Sequence, residues 1–254
     1  EGPMLRGLAS TAMDHGAGAR PMSAGLFMEW ALGKAGEIYG DDAGKLMLPG
    51  AKIRWEVHYY AIGQEVKDDE VELGIWFYPK GYQPKNRTIL NMFNVAANSE
   101  LDIPPGAKTV TQNFYVLPAP ARIENFQPHM HLRGKDYELR LIYPTGEKQT
   151  VFKGKWDFEW QLGYNLKEPI LLPKGTRIVT IVHFDNSPNN KFNPDPKQEV
   201  YWGLQNWEEM QSSFLGFLID VNADIGQVLR STGPSLLPRP KGVGPTLSVL
   251  EALN

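Results

Sequence analysis

The chain has 254 residues, 42% hydrophobic and 11% aromatic, enough for one large or two medium domains with real cores. A net charge of −3, with no basic run longer than a few residues, argues against nucleic-acid or anionic-membrane partners, which are held by clustered Lys and Arg. With zero cysteines, disulfides, thiolate metal sites and iron–sulfur clusters are excluded from this chain, and no apolar stretch is long enough to span a bilayer.

Residues 1–22 are rich in Gly, Ala and Met and read as irregular structure. The segment "SAGLFMEWALGKAGEIYG" (23–40) spaces Leu26, Phe27, Trp30 and Ala31 roughly as a short helix would. From there on the segments are short and rich in β-branched and aromatic residues: "LPGAKIRWEVHYYAIG" (48–63), "VELGIWFYP" (71–79), "KTVTQNFYVL" (108–117), "YELRLIYPTGE" (137–147), "GTRIVTIVHFD" (175–185) and "SSFLGFLIDV" (212–221). Pro- and Gly-containing turns bound many of them, as expected for strands, while "VKDDEVE" (66–72) reads as a solvated turn. Twenty prolines and 25 glycines spread among such strands predict an all-β fold of jelly-roll-like antiparallel sandwiches. "LPAPARI" (117–123) reads as a stiff linker. The chain is therefore divided into an N-terminal β domain over 1–118, irregular over 1–40, a β-sandwich over 119–225, and a Pro/Gly-rich extended tail over 226–254.

Two of the five histidines sit one residue apart in "FQPHMHLRGK" (126–135). On an extended strand His129 and His131 point the same way, about 6–7 Å apart, so their imidazoles can close on one metal without backbone distortion. The third ligand decides which metal. His183 in "IVHFDNS" would complete an all-imidazole site suited to zinc or iron with an open position. Met210 in "NWEEMQSSF" would supply a thioether, which favours copper(I); its ordinary alternative is a gap-filling core methionine.

"PHMHLRGK", "WDFEWQ" (156–161), "LPKGTRI" (172–178), "HFDNSPNNKFNPDP" (183–196) and "VYWGLQNWEEM" (200–210) together resemble, in order, the second domain of the copper type II, ascorbate-dependent monooxygenases, and most of all their bacterial members. Residues 41–118 are similar, more weakly through "WEVHYYAIG", to the later part of that family's first domain. The animal relatives hydroxylate glycine-extended peptides or dopamine. The resemblance implies two jelly-roll-like domains, each with one copper, the first domain here being partial. It assigns His129, His131 and Met210 to the second copper and leaves His183 as a neighbouring hydrogen-bonding residue. It further implies dioxygen and ascorbate or another reductant as co-substrates, and a periplasmic or extracellular location.

The pattern also departs from the family. The first copper needs an early His-His pair plus a later histidine; His58 matches the later one, and His15, single and in a Gly/Ala-rich context, does not replace the pair. The chain as written thus carries one complete copper site and a remnant. Either the missing pair lies upstream of Glu1, in a processed or longer protein, or the activity has been lost. The family's peptide-carboxylate clamp maps onto Gln127, Ser212 and Phe214, which offer no fixed cation, so the expected substrate is neutral or apolar. Glu208 and Glu209 are expected to turn away from the ligand, and Trp156, Trp160, Trp202 and Trp207 read as core or interface aromatics. No catalytic residue is assigned. The alternative to an enzyme is a non-catalytic extrinsic subunit of a larger extracytoplasmic or membrane-associated redox assembly, with no transmembrane segment of its own.

Overall fold

A computed structural model describes residues 26–40, 42–53, 55–67, 69–94 and 101–223. His15 and the tail over 226–254 lie outside them. The described chain is all-β. Its strands are β1 (Ala43–Gly44), β2 (Asn86–Asn94), β3 (Asp102–Ile103), β4 (Lys108–Val116), β5 (Ala121–His129), β6 (Gly134–Ile142), β7 (Lys148–Lys155), β8 (Tyr164–Leu172), β9 (Arg177–Asp185), β10 (Val200–Tyr201) and β11 (Ser212–Asp220). One sheet has the order β1-β2-β11-β5-β8, the other β4-β9-β6-β7, and β3 pairs β10 at one end. No described helix is long and apolar enough to cross a membrane.

Alternation builds the core between the sheets. Tyr137, Leu139 and Leu141 of β6 and Ile178, Val182 and Phe184 of β9 meet Leu215, Phe217 and Ile219 of β11 and Ile123 and Phe126 of β5 in one buried cluster. Tyr137 and Ser213 hydrogen-bond through their hydroxyls across the sandwich at 2.6 Å. Gln211 Nε2 likewise donates to Thr180.

Four expectations are corrected here. The sequence division at 118/119 falls inside this sandwich: β2 pairs with β11 and β4 with β9, so strands from both sides of it share both sheets. "LPAPARI" is a crossover between those sheets rather than an interdomain linker, since Leu117, Ala121 and Ile123 are core residues. The stretches 48–63 and 71–79 form no strand among their described residues, and Trp55, Tyr59, Trp76 and Phe77 stay exposed. Their alternation is real, but a strand exists only where a neighbour pairs with it. The helix read over 23–40 is an irregular segment in its described part. Leu26 bridges to Leu90, and Gly33 at φ 92° breaks the chain with a turn closed by Lys34 N donating to Ala31 O at 3.1 Å.

A bulge in β5 positions the histidines. Gly216 of β11 pairs with Asn125 but Phe217 pairs with Ile123, which leaves Glu124 as an extra residue. Ala121 and Ile123 therefore face the core, and after the bulge so do Phe126 and Met130. Gln127, His129 and His131 are turned onto the opposite face by that single extra residue. Gly216 makes the bulge fit: a Cβ there would lie 2.3 Å from Asn125 Oδ1.

Candidate metal centre

The outer face of β5 and β11 brings the sequence-derived residues into one block. Gln127 pairs directly with Phe214 and His129 with Ser212. The ladder ends there, with His131 two residues beyond His129 and Met210 two residues before Ser212. Cross-strand partners share a face, so Gln127, His129, Ser212 and Phe214 lie on one side of the sheet, with the His131 ring beside that of His129. The face is covered rather than solvated: Gln127 is 2% exposed, His131 3%, Met210 9% and Ser212 1%. The segment 26–38 helps cover it, with Gln161 N donating to Leu32 O at 2.8 Å and Gln127 Nε2 to Glu29 Oε2 at 2.9 Å.

The imidazole rings of His129 and His131 lie edge to face with centroids 5.4 Å apart. Each Nδ1 meets an oxygen. His129 Nδ1 is 2.8 Å from Gln161 Oε1, and the Gln161 amide is oriented by its Nε2 donating to Phe158 O at 2.8 Å. His131 Nδ1 is 3.2 Å from the Glu208 carbonyl, and the Gln205 carbonyl also reaches this ring. Because these oxygens only accept, both neutral rings carry their proton on Nδ1 and keep the Nε2 lone pair. An oxygen on the second nitrogen is the arrangement that orients metal-ligating histidines. Burial holds the His129 ring below its usual range. It pushes His131 down to about 3, with the neighbouring His129 as the next cause. Both rings are therefore neutral at pH 7, as metal ligation requires.

Sequence reasoning missed the group that joins the histidine strand to the methionine loop. Glu209 is fully buried and accepts three main-chain N–H bonds: from His131 at 2.9 Å and Met210 at 3.3 Å on Oε2, and from Arg133 at 2.5 Å on Oε1. Burial pushes its carboxyl up to about 8, against the pull of those donors and of the Arg133 guanidinium. Glu209 does turn away from the ligand face, as alternation predicts, but into the backbone of the site. Arg133, also fully buried, donates to Asn186 Oδ1 and to the Trp207 carbonyl, each at 2.8 Å. The Asn-rich run after His183 thus forms a turn network that buttresses the site. The only sequence signal for these roles was charge inside an otherwise strand-like core segment. Trp156 Nε1 donates to the His131 carbonyl at 3.0 Å, whereas Trp160 and Trp207 are half exposed.

The other histidines are placed differently. His183 of β9 lies on the exposed face of the second sheet, hydrogen-bonded to Asp136 at 2.5 Å, with its strand between it and the core. His58 is exposed and 3.1 Å from Glu56. Among the described residues no three His, Cys, Asp or Glu side chains gather closely enough to hold a metal.

No protein-family model matches the chain, and no curated protein matches it. Among solved structures it is similar to the VP2 subviral particle of infectious bursal disease virus, at 15% identity and TM-score 0.28, covering 63% of this chain and 40% of that one. The Gx strain of the same virus gives 11% identity and TM-score 0.25, over 63% and 39%. The chain spans about two fifths of those proteins.

Proposed function

We propose that this chain is a copper-binding β-sandwich protein of the copper monooxygenase type, holding one copper through His129, His131 and Met210. The observation that supports this reading is the pairing of His129 with Ser212, which brings the chain just after Met210 beside the histidine strand, where the His131 Nδ1 is already tied to a carbonyl. Copper bound there supplies one-electron redox chemistry toward dioxygen. Gln161 and the Glu208 carbonyl hold the two rings in the ligating tautomer. Glu209 ties the methionine loop to the histidine strand, and the cover of the face limits water. Gln127, Ser212 and Phe214 line the place for a neutral substrate, with ascorbate or another reductant as electron source, in the periplasm or outside the cell. His58 is the remnant of the first copper site in this reading.

Metal analysis and X-ray absorption of the copper(I)-loaded protein test it. One copper per chain with a sulfur neighbour is expected, and Met210→Ala removes the sulfur neighbour. Less than half an equivalent of copper in both proteins rejects the assignment.

A second reading, an extrinsic subunit of a larger redox or membrane assembly, is favoured by one observation. Trp55, Tyr59, Trp76 and Phe77 are exposed by 50%, 72%, 91% and 71%, more large apolar surface than a free monomer carries comfortably. Native co-purification with a stable partner supports it; a clean monomer that hydroxylates a substrate with ascorbate excludes it.

A further inference from the structure

Beside the candidate metal face lies a cavity of about 130 Å³, walled by Glu29, Lys34, Leu90, Gln127, Gly163 and Phe214. It is about the size that admits a benzene-sized molecule in other proteins (~150 Å³). Phe214 belongs to both places, its ring 6.1 Å from that of His129.

The charged groups of this cavity are matched, and one buried amide oxygen is not. Lys34 Nζ bonds Oε1 of Glu29 and, at 2.9 Å, Oε1 of Glu37. Lys45 Nζ bonds Glu37 Oε2 at 2.7 Å. Two carboxylates and two ammonium groups thus cancel, and neither a free carboxylate nor a free ammonium ligand finds a counter-ion. Gln127 donates its Nε2 to Glu29 Oε2, which fixes the amide and turns Oε1 toward Gly163. That Oε1 is buried, in a residue 2% exposed, and has no hydrogen-bond partner among the described residues. A buried acceptor left so is costly unless something else satisfies it. Lys34 spends two of its three N–H groups on Glu29 and Glu37, so a third remains. An acceptor and a donor therefore flank one carboxylate, Glu29, inside a charge-balanced cavity whose wall also carries Asn125 and Asn165.

We propose that this cavity binds a small neutral molecule through a primary carboxamide, whose N–H donates to Gln127 Oε1 and whose C=O accepts from Lys34 Nζ, with its apolar body against Leu90 and Phe214. The inference deepens the substrate side of the copper reading and rests on it only for what the adjacent imidazoles do with the ligand; binding itself needs no metal.

The test is titration of the metal-free protein with n-butyramide, n-butyrate and n-butylammonium, followed by NMR shifts. Butyramide is expected to bind at least tenfold more tightly than either ion. Gly163→Ala puts a methyl 3.4 Å from Gln127 Oε1, at a residue with no positive φ, and is expected to weaken butyramide at least tenfold while leaving the unfolding midpoint unchanged. Gln127→Leu is expected to do the same to binding. Equal binding of all three probes, no binding of butyramide, or undiminished binding by Gly163→Ala overturns the proposal. A protein that takes up copper but ignores butyramide sinks this inference alone, and the converse sinks the copper reading alone.

Discussion

Acidification tests the burial of the histidine pair most directly. His131 has a folded-state value near 3 against 6.5 for a free imidazole. The unfolded chain therefore binds a proton that the folded chain refuses. This favourable contribution is complete above pH 6.5 and is lost as pH falls from there toward 3. At about 1.4 kcal/mol per unit the whole window is worth roughly 5 kcal/mol, of which roughly 2 kcal/mol is gone by pH 5. His129 acts in the same direction. Glu209 acts in the opposite one, because a carboxyl raised to about 8 takes up its proton first in the folded state and so gains stability as pH falls from 8 toward 4.5. A single pH series would mix the two. The difference between the metal-free protein and His131→Asn, whose amide can still donate to the Glu208 carbonyl, isolates the imidazole. Urea denaturation at pH 7 and pH 5 is expected to show the parent losing about 2 kcal/mol more than the variant over that interval. Parallel losses would mean that His131 is hydrated and that the covered face described above is wrong.

Three further outcomes follow from the same geometry. Glu209→Leu orphans the N–H groups of His131, Arg133 and Met210, each worth about 1–3 kcal/mol when buried; urea unfolding should register a loss of roughly 3 kcal/mol, and one under about 1 kcal/mol refutes the clamp. Gln161→Leu frees the His129 ring and is expected to lower copper(I) affinity about 10–100-fold in chelator competition, whereas unchanged affinity shows that the amide orients nothing. Gly216→Ala pushes a methyl into the Asn125 amide beside the bulge and should cost about 1–3 kcal/mol of unfolding free energy, with near-native stability counting against the bulge as the device that aims the histidines.

What could be read from residues alone was what depends on near neighbours. The all-β class follows from short β-branched runs between Pro and Gly turns, and 108–117, 137–147, 175–185 and 212–221 correspond to β4, β6, β9 and β11. That His129 and His131 sit side by side follows from their spacing along one segment, and the shared face of Ser212 and Phe214 from alternation within β11. Which face they occupy did not follow. It is set by Glu124, the extra residue of the β5 bulge, and a bulge is defined only against the partner strand. Pairing also decided the fate of 48–63 and 71–79, whose pattern is as strand-like as that of β9 but which have no paired neighbour among the described residues. The same holds for Glu209 and Gln161: their importance lies in hydrogen bonds spanning 78 and 32 residues of sequence. Local pattern sets what a strand can present; only the closed sandwich, which brings distant donors and acceptors within 3 Å, determines what is presented to what.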